Sequence, residues 1–147
     1  MTLKDRLQED MKAAMRSGEK DRLGTIRLIM AAVKQREVDE RITLDDTQLL
    51  GVLEKMGKQR RESIAQFQAG GRADLVAKEN AELAIINGYM PAPLADDELD
   101  ALINETITQT GASSLKDMGK VMGIIKAKAQ GRADMATVGT RIKARLS

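Results

Sequence analysis

The chain has 147 residues, with 24 Lys+Arg against 22 Asp+Glu and a formal net charge of +2, enough for one ordinary domain or two small helical units. It contains no Cys, no His and no Trp, and Phe67 and Tyr89 are its only aromatic residues. These absences exclude disulfide frameworks, Cys/His zinc sites, thiol nucleophiles, Ser-His-Asp triads and the aromatic platforms on which RNA bases stack.

Apolar residues recur at three and four positions along almost the whole chain and nowhere alternate at two, which predicts an all-α protein. Leu3, Leu7, Met11 and Ala14 share one face of a first helix that Ser17-Gly18 ends. A second helix runs from about Lys20 to Glu40 around the apolar centre Leu28 to Val33. In Thr43-Leu44-Asp45-Asp46, Thr43 reads as an N-cap with an acid at the third helical position. The third helix carries Leu49, Leu53, Met56, Ile64 and Phe67 on one stripe and stops near Gly70-Gly71. A fourth starts at Asp74, shows Leu75, Val76, Leu83, Ile86 and Met90, and ends at Pro91.

Pro91-Ala92-Pro93 contains both prolines of the chain and marks the expected domain boundary. Residues 1–90 then form an N-terminal long-helix domain of about four helices, and residues 91–147 a small C-terminal three-helix bundle. Its helices are expected at about Asp96–Thr110, Leu115–Gln130 and Met135–Leu146. Leu99, Leu102, Ile103 and Thr106 should face inward on the first, Met118, Val121, Met122 and Ile125 on the second, and Met135, Val138 and Ile142 on the third. One short phrase repeats: Gly71-Arg72-Ala73-Asp74 returns as Gly131-Arg132-Ala133-Asp134. A left-handed glycine ending one helix and an aspartate capping the next accounts for both copies.

Motifs that resemble catalytic ones dissolve on inspection. Ser113-Ser114-Leu115-Lys116 invites comparison with amidase chemistry, yet Ser114 and Asp117 have the spacing of a helix cap and its partner. Gly119-Lys120 lacks the upstream glycine and the following Ser or Thr of a phosphate loop. Asp96-Asp97-Glu98 falls in a first helical turn, where the macrodipole favours acids and successive side chains diverge. No catalytic residue, cofactor or metal is therefore expected.

Charge within the last third of the chain is sorted. Leu94 to Asp117 holds six acids (Asp96, Asp97, Glu98, Asp100, Glu105, Asp117) and one base, Lys116, a net of −5. Met118 to Ser147 holds seven bases (Lys120, Lys126, Lys128, Arg132, Arg141, Lys143, Arg145) and one acid, Asp134, a net of +6. Gly119 and Gly123 sit on one side of the expected middle helix, where each costs about 1 kcal/mol against alanine. Close helix packing is one reason for them, and close approach of a phosphate backbone is the other. The seven cations with Gly119 and Gly123 are the candidate nucleic-acid contacts. A second basic group, Lys55, Lys58, Arg60 and Arg61, is flanked by Glu54 and Glu62 and makes a weaker candidate.

No stretch approaches the ~18 consecutive apolar residues of a bilayer-spanning helix, so no membrane partner is expected. The N-terminus lacks a signal-peptide core, and Asp5, Glu9 and Asp10 argue against a transit peptide, so a cytoplasmic location is expected.

In order, Lys58-Gln59-Arg60-Arg61-Glu62-Ser63-Ile64, Phe67, Arg72-Ala73-Asp74-Leu75, Glu82-Leu83 and Tyr89-Met90-Pro91 lead to Gly111-Ala112-Ser113-Ser114, Asp117-Met118-Gly119-Lys120-Val121-Met122 and Gly131-Arg132-Ala133-Asp134. These segments resemble the YqeY-like (GatB/YqeY) family over essentially the whole chain, most specifically in the Asp117–Met122 hexapeptide. Met90 stands where leucine is more usual, a conservative departure. The resemblance implies an all-helical, two-domain fold related to the tail of the B subunit of the glutamine-dependent aspartyl/glutamyl-tRNA amidotransferase, a tail similar to a tRNA-contacting appendage. It also implies the label of a carbon–nitrogen ligase with glutamine as amide donor, although neither catalytic region of that enzyme fits in these residues. The leading expectation is a tRNA-associated binding or accessory module without an active site. The alternatives are participation in amidotransfer as part of a larger enzyme, with amidotransferase subunits as partners, and a helical protein–protein adaptor.

Overall fold

The computed structural model describes residues 1–147, and its regular elements are seven α-helices and one short 3-10 turn, with no strand. They fall into two compact units, Met1–Met90 and Pro91–Ser147.

In the first unit, α1 (Leu3–Ser17) opens on a reciprocal cap: Asp5 N–H donates to Thr2 Oγ1 at 3.1 Å, and Thr2 N–H donates back to the Asp5 carboxylate at 3.3 Å. Gly18, at φ 74°, turns the chain into α2 (Lys20–Glu40). The next helix, α3 (Asp46–Ala69), is capped by Asp45 and not by Thr43: Gln48 N–H donates to the Asp45 carboxylate at 2.8 Å, and Asp45 N–H donates to Gln48 Oε1 at 3.0 Å. Leu44 decides between the two caps. It is buried, and its N–H donates to the Glu37 carboxylate at 2.9 Å, which holds it outside the helix. Lys4 Nζ lies 2.5 Å from the same Glu37 oxygen, and these two contacts hold the carboxyl below the usual range. The last helix of this unit is α4 (Ala73–Asn87).

Leu7, Ile26, Ile29, Val33, Leu49, Leu53, Met56 and Ile86 fill the core of this unit. Ile64 and Phe67, expected on the same stripe of α3, are only half-buried and lie outside that core. Past Met56, α3 packs on α4. A Cβ at the buried Gly57 would meet Leu83 Cδ1 at 3.7 Å, and Arg60 Nε lies 2.7 Å from Glu82 and 3.4 Å from Glu79. Arg60, taken from sequence as part of a basic cluster, is thus held between two carboxylates of α4.

In the second unit, α5 (Asp96–Thr110) is followed by a 3-10 turn (Leu115–Asp117), α6 (Met118–Ala129) and α7 (Met135–Leu146). The core is Leu99, Ile103, Val121, Ile125, Ala129, Val138, Ile142 and Leu146. Thr106 is fully buried among them and satisfies its hydroxyl by donating to the Leu102 carbonyl at 2.8 Å. Leu102, Met118, Met122 and Met135 pack against this core while remaining half-buried. The repeated Gly-Arg-Ala-Asp phrase adopts two forms. Gly71 and Gly131 are both left-handed, at φ 70° and 76°. Asp134 caps α7, accepting from Thr137 N–H at 3.2 Å, whereas Asp74 lies inside the first turn of α4 and pairs with Arg72 at 3.2 Å.

Candidate nucleic-acid interface

The 3-10 turn ahead of α6 is built by one carboxylate: Asp117 accepts from Ser113 N–H at 3.0 Å and from Ser114 N–H at 3.4 Å. The Ser114 to Asp117 spacing is therefore a turn device in which the carboxylate takes two backbone donors. From this start α6 buries Val121, Ile125 and Ala129 and turns Gly119, Lys120, Gly123, Lys126 and Lys128 to solvent.

Gly119 and Gly123 do not pack helices together. A Cβ built on either meets nothing within 4 Å. The glycine that does pack is Gly139 of α7, where an added Cβ would come within 3.7 Å of Met118 Cε and 4.0 Å of the Met122 Sδ. Sequence spacing drew attention to the pair inside one helix, while the inter-helix contact fell to a glycine that no local pattern distinguishes.

At about 100° per residue, Gly123 lies roughly 40° round the helix from Gly119, Lys126 roughly 20° to the other side, and Lys120 roughly 100° away. Two small residues are thus framed by two lysines on the solvent side of α6. Lys128 sits roughly 180° from Gly119 and belongs to a different side. It lies, with Lys126, in the last turn, where cations complement the helix dipole. Lys116, which sequence reading counted only in the acidic segment, is exposed in the turn that leads into α6.

The seven cations of this segment do not share one outward face. Arg141 Nη2 lies 2.7 Å from Asp96 and its Nη1 lies 3.1 Å from Asp100, while Arg145 Nη2 lies 3.0 Å from Asp100. The pairs hold the Asp100 carboxyl below its usual range, chiefly through its bond from Arg145, and raise the Arg141 guanidinium above its own. Arg132 donates from Nε to the Ala92 carbonyl at 2.8 Å, and Leu94 N–H donates to the Arg132 carbonyl at 2.8 Å. Its fork ties the Pro91–Pro93 segment to the turn before α7. All three arginines are held inside the unit because a planar fork matches carboxylates and carbonyls; the compact, strongly hydrated ammonium groups of Lys120, Lys126, Lys128 and Lys143 stay exposed and make none of its ion pairs. On α7, Arg141 and Arg145 are one turn apart on the α5 side, and Lys143 follows Gly139 by one turn on the α6 side.

A family model described as Yqey-like protein matches residues 4–146. The chain belongs to the YqeY-like family. Among relatives of this YqeY-like chain is "Altered inheritance of mitochondria protein 41, mitochondrial" of Eremothecium gossypii, 39% identical over 116 residues, covering 74% of the chain and 63% of the relative. Proteins of the same name from Pyrenophora tritici-repentis and Lachancea thermotolerans are 35% and 32% identical, covering 84% and 92% of the chain and 71% and 76% of those relatives. The chain thus spans a little under two thirds of the Eremothecium protein. The cytoplasmic expectation is overturned by these names, which call the relatives mitochondrial. The acids of the first helix carry no information on compartment because they belong to the folded domain: Asp5 caps α1 and Asp10 pairs with Arg22. No helix is long and apolar enough to cross a membrane.

Proposed function

We propose that the C-terminal unit is a binding module for structured RNA, tRNA foremost, with no reaction of its own. Its contact surface is the solvent side of α6, with Gly119 and Gly123 admitting a phosphate backbone close to the helix and Lys120 and Lys126 closing on it from the two sides. Lys116 at the start of α6 and Lys143 on the adjoining side of α7 extend the positive surface. Arg132, Arg141 and Arg145, expected as contacts from sequence, act instead as internal ties, and Lys128 lies off the face.

One observation carries this reading. The two α6 glycines are exposed with open space around them, so the destabilisation of about 1 kcal/mol that Gly123 brings inside α6 has no packing in return, and Gly119 in the first turn widens the same open side. Room for a close-approaching ligand between lysines is what that sacrifice would serve. Backbone contacts of this kind position a shape without reading its sequence.

The test is titration of tRNA into the full chain across a salt series. Four phosphate contacts require log K to fall with log salt at a slope of about −3 to −3.6. Lys120→Glu with Lys126→Glu should remove most of the binding, and Gly123→Leu should weaken it at unchanged net charge. A flat salt dependence, or charge reversal without effect, overturns the proposal.

A further inference from the structure

The N-terminal unit contains a cavity of about 300 Å³ among α1, α2 and the end of α4, lined by Arg6, Arg22, Ala84, Ile85, Gly88 and Tyr89. We propose that it is a binding site for a small phosphate-bearing molecule, separate from the α6 face and independent of the reading given to that face.

The argument starts from how the two arginines are held. Arg6 Nη2 donates to the Gly88 carbonyl at 3.1 Å, and its guanidinium carbon stands 4.8 Å from the centroid of the Tyr89 ring. One bond and one ring contact fix the plane of the guanidinium and leave its other N–H donors without a protein acceptor. The Tyr89 hydroxyl donates to Asp10 Oδ2 at 2.5 Å. Burial first, and then that carboxylate, push the phenol up to about 12, so it stays a protonated donor and the ring stays in place beneath Arg6.

Arg22 is the unusual group. Its nearest carboxylate oxygen is Asp10 Oδ2 at 3.9 Å, beyond hydrogen-bond reach, and that oxygen already accepts from Tyr89. The Arg22 side chain is 42% exposed and makes no hydrogen bond within the protein, so its N–H donors face water and are open to an acceptor on a ligand. Two guanidiniums and one carboxylate leave the cavity a net charge of +1. Two planar forks around one opening match the oxygens of a phosphate group, which accepts bidentate bonds from both. Ala84, Ile85 and Gly88 provide apolar and backbone walls for the remainder of the molecule.

The experiment is an NMR titration of the full chain, reading the Ala84 and Gly88 amides and the arginine Nε–H signals. Inorganic phosphate and a nucleoside monophosphate supply the free source, and a short RNA with and without a 5′-phosphate supplies the nucleic-acid source. Saturable shifts at Gly88 and Arg22 are expected with both free probes, and with the RNA only when it carries the terminal phosphate. Arg22→Gln should weaken binding about tenfold, the factor that loss of a charge-assisted hydrogen bond gives. Arg22→Lys, which keeps the charge and loses the fork, should fall between. Asp10→Asn should tighten binding by removing the competing negative charge, a result that a merely structural cluster would not give. Lys120→Glu with Lys126→Glu should leave these shifts unchanged, which separates this site from the tRNA face. Absence of saturable shifts, or equal affinity in wild type and both Arg22 variants, overturns the proposal.

Discussion

Gly139 on α7 and the Gly119–Gly123 pair on α6 are the same residue type in neighbouring helices of one small unit, and they do opposite things. Gly139 sits against the ends of Met118 and Met122, where a Cβ would make ordinary contact and a larger side chain would press on both methionines. The α6 pair faces open space, so nothing in the fold asks for it. The cations divide in the same way. The three arginines are drawn into internal hydrogen bonds and ion pairs, while the four lysines remain in water. What is structural and what is available to a partner is decided by what stands opposite each residue.

The largest expected effect is at the packed glycine. Gly139→Leu places a branched side chain on Met118 and Met122 and should lower stability by about 2 kcal/mol, measured by denaturant unfolding of the full chain. A neutral result would mean that the methionines move freely and that Gly139 does not set the packing.

Gly123→Ala should act the other way. With nothing within 4 Å of the new Cβ, the helix gains about 1 kcal/mol from propensity alone, read as a higher unfolding midpoint. The same variant should bind tRNA more weakly, the signature of a residue kept for contact at a cost in stability. Stabilisation without any loss of binding would detach the exposed pair from the proposed function.

Asp100→Asn gives the smallest effect and probes the arginine side. The folded-state pKa of Asp100 is lowered from the ordinary 3.8, so its pairing stabilises the fold above that value and the contribution is lost as pH falls through the lowered pKa. Thermal unfolding should therefore show a small wild-type advantage near neutral pH that disappears in strong acid and shrinks with added salt. Freed from Asp100, Arg145 should also add slightly to tRNA affinity. Were the variant equally stable at every pH, the Asp100 pairs would be ornaments of the surface.

The helices were readable from short-range signals. Gly18 and Gly111 stop helices for reasons contained within a few residues, and all seven helices lie close to where the three-and-four periodicity put them, although α4 ends at Asn87 and leaves Met90, expected on its stripe, in the turn before Pro91. The α3 start shows the limit of local signals. Thr43 and Asp45 are both competent caps, and the choice fell to Leu44, whose burial and bond to Glu37 depend on packing between helices. The stripe of α3 was misjudged beyond Met56 for a related reason: periodicity shows which side of a helix is apolar, not where its neighbours end.

The candidate sites were harder to read. Seven cations and two glycines were visible as residues, but their fates depend on contacts across the chain: Arg141 with Asp96 and Asp100, Arg132 with Ala92, Gly139 with Met118 and Met122. Arg6 and Arg22 gave no sequence signal, and Tyr89 stood out only as a rare aromatic in a family segment, since residues drawn from α1, α2 and the end of α4 become a cavity only when the helices assemble.

The sequence by itself determined an all-α chain, because helix periodicity, caps and breakers act over a turn or two of backbone. The tertiary structure alone decided which cation is neutralised, which glycine is packed and which arginine is left with a long ion pair and no hydrogen bond. Electrostatic pairing and steric contact act through space between residues whose separation along the chain carries no record of it.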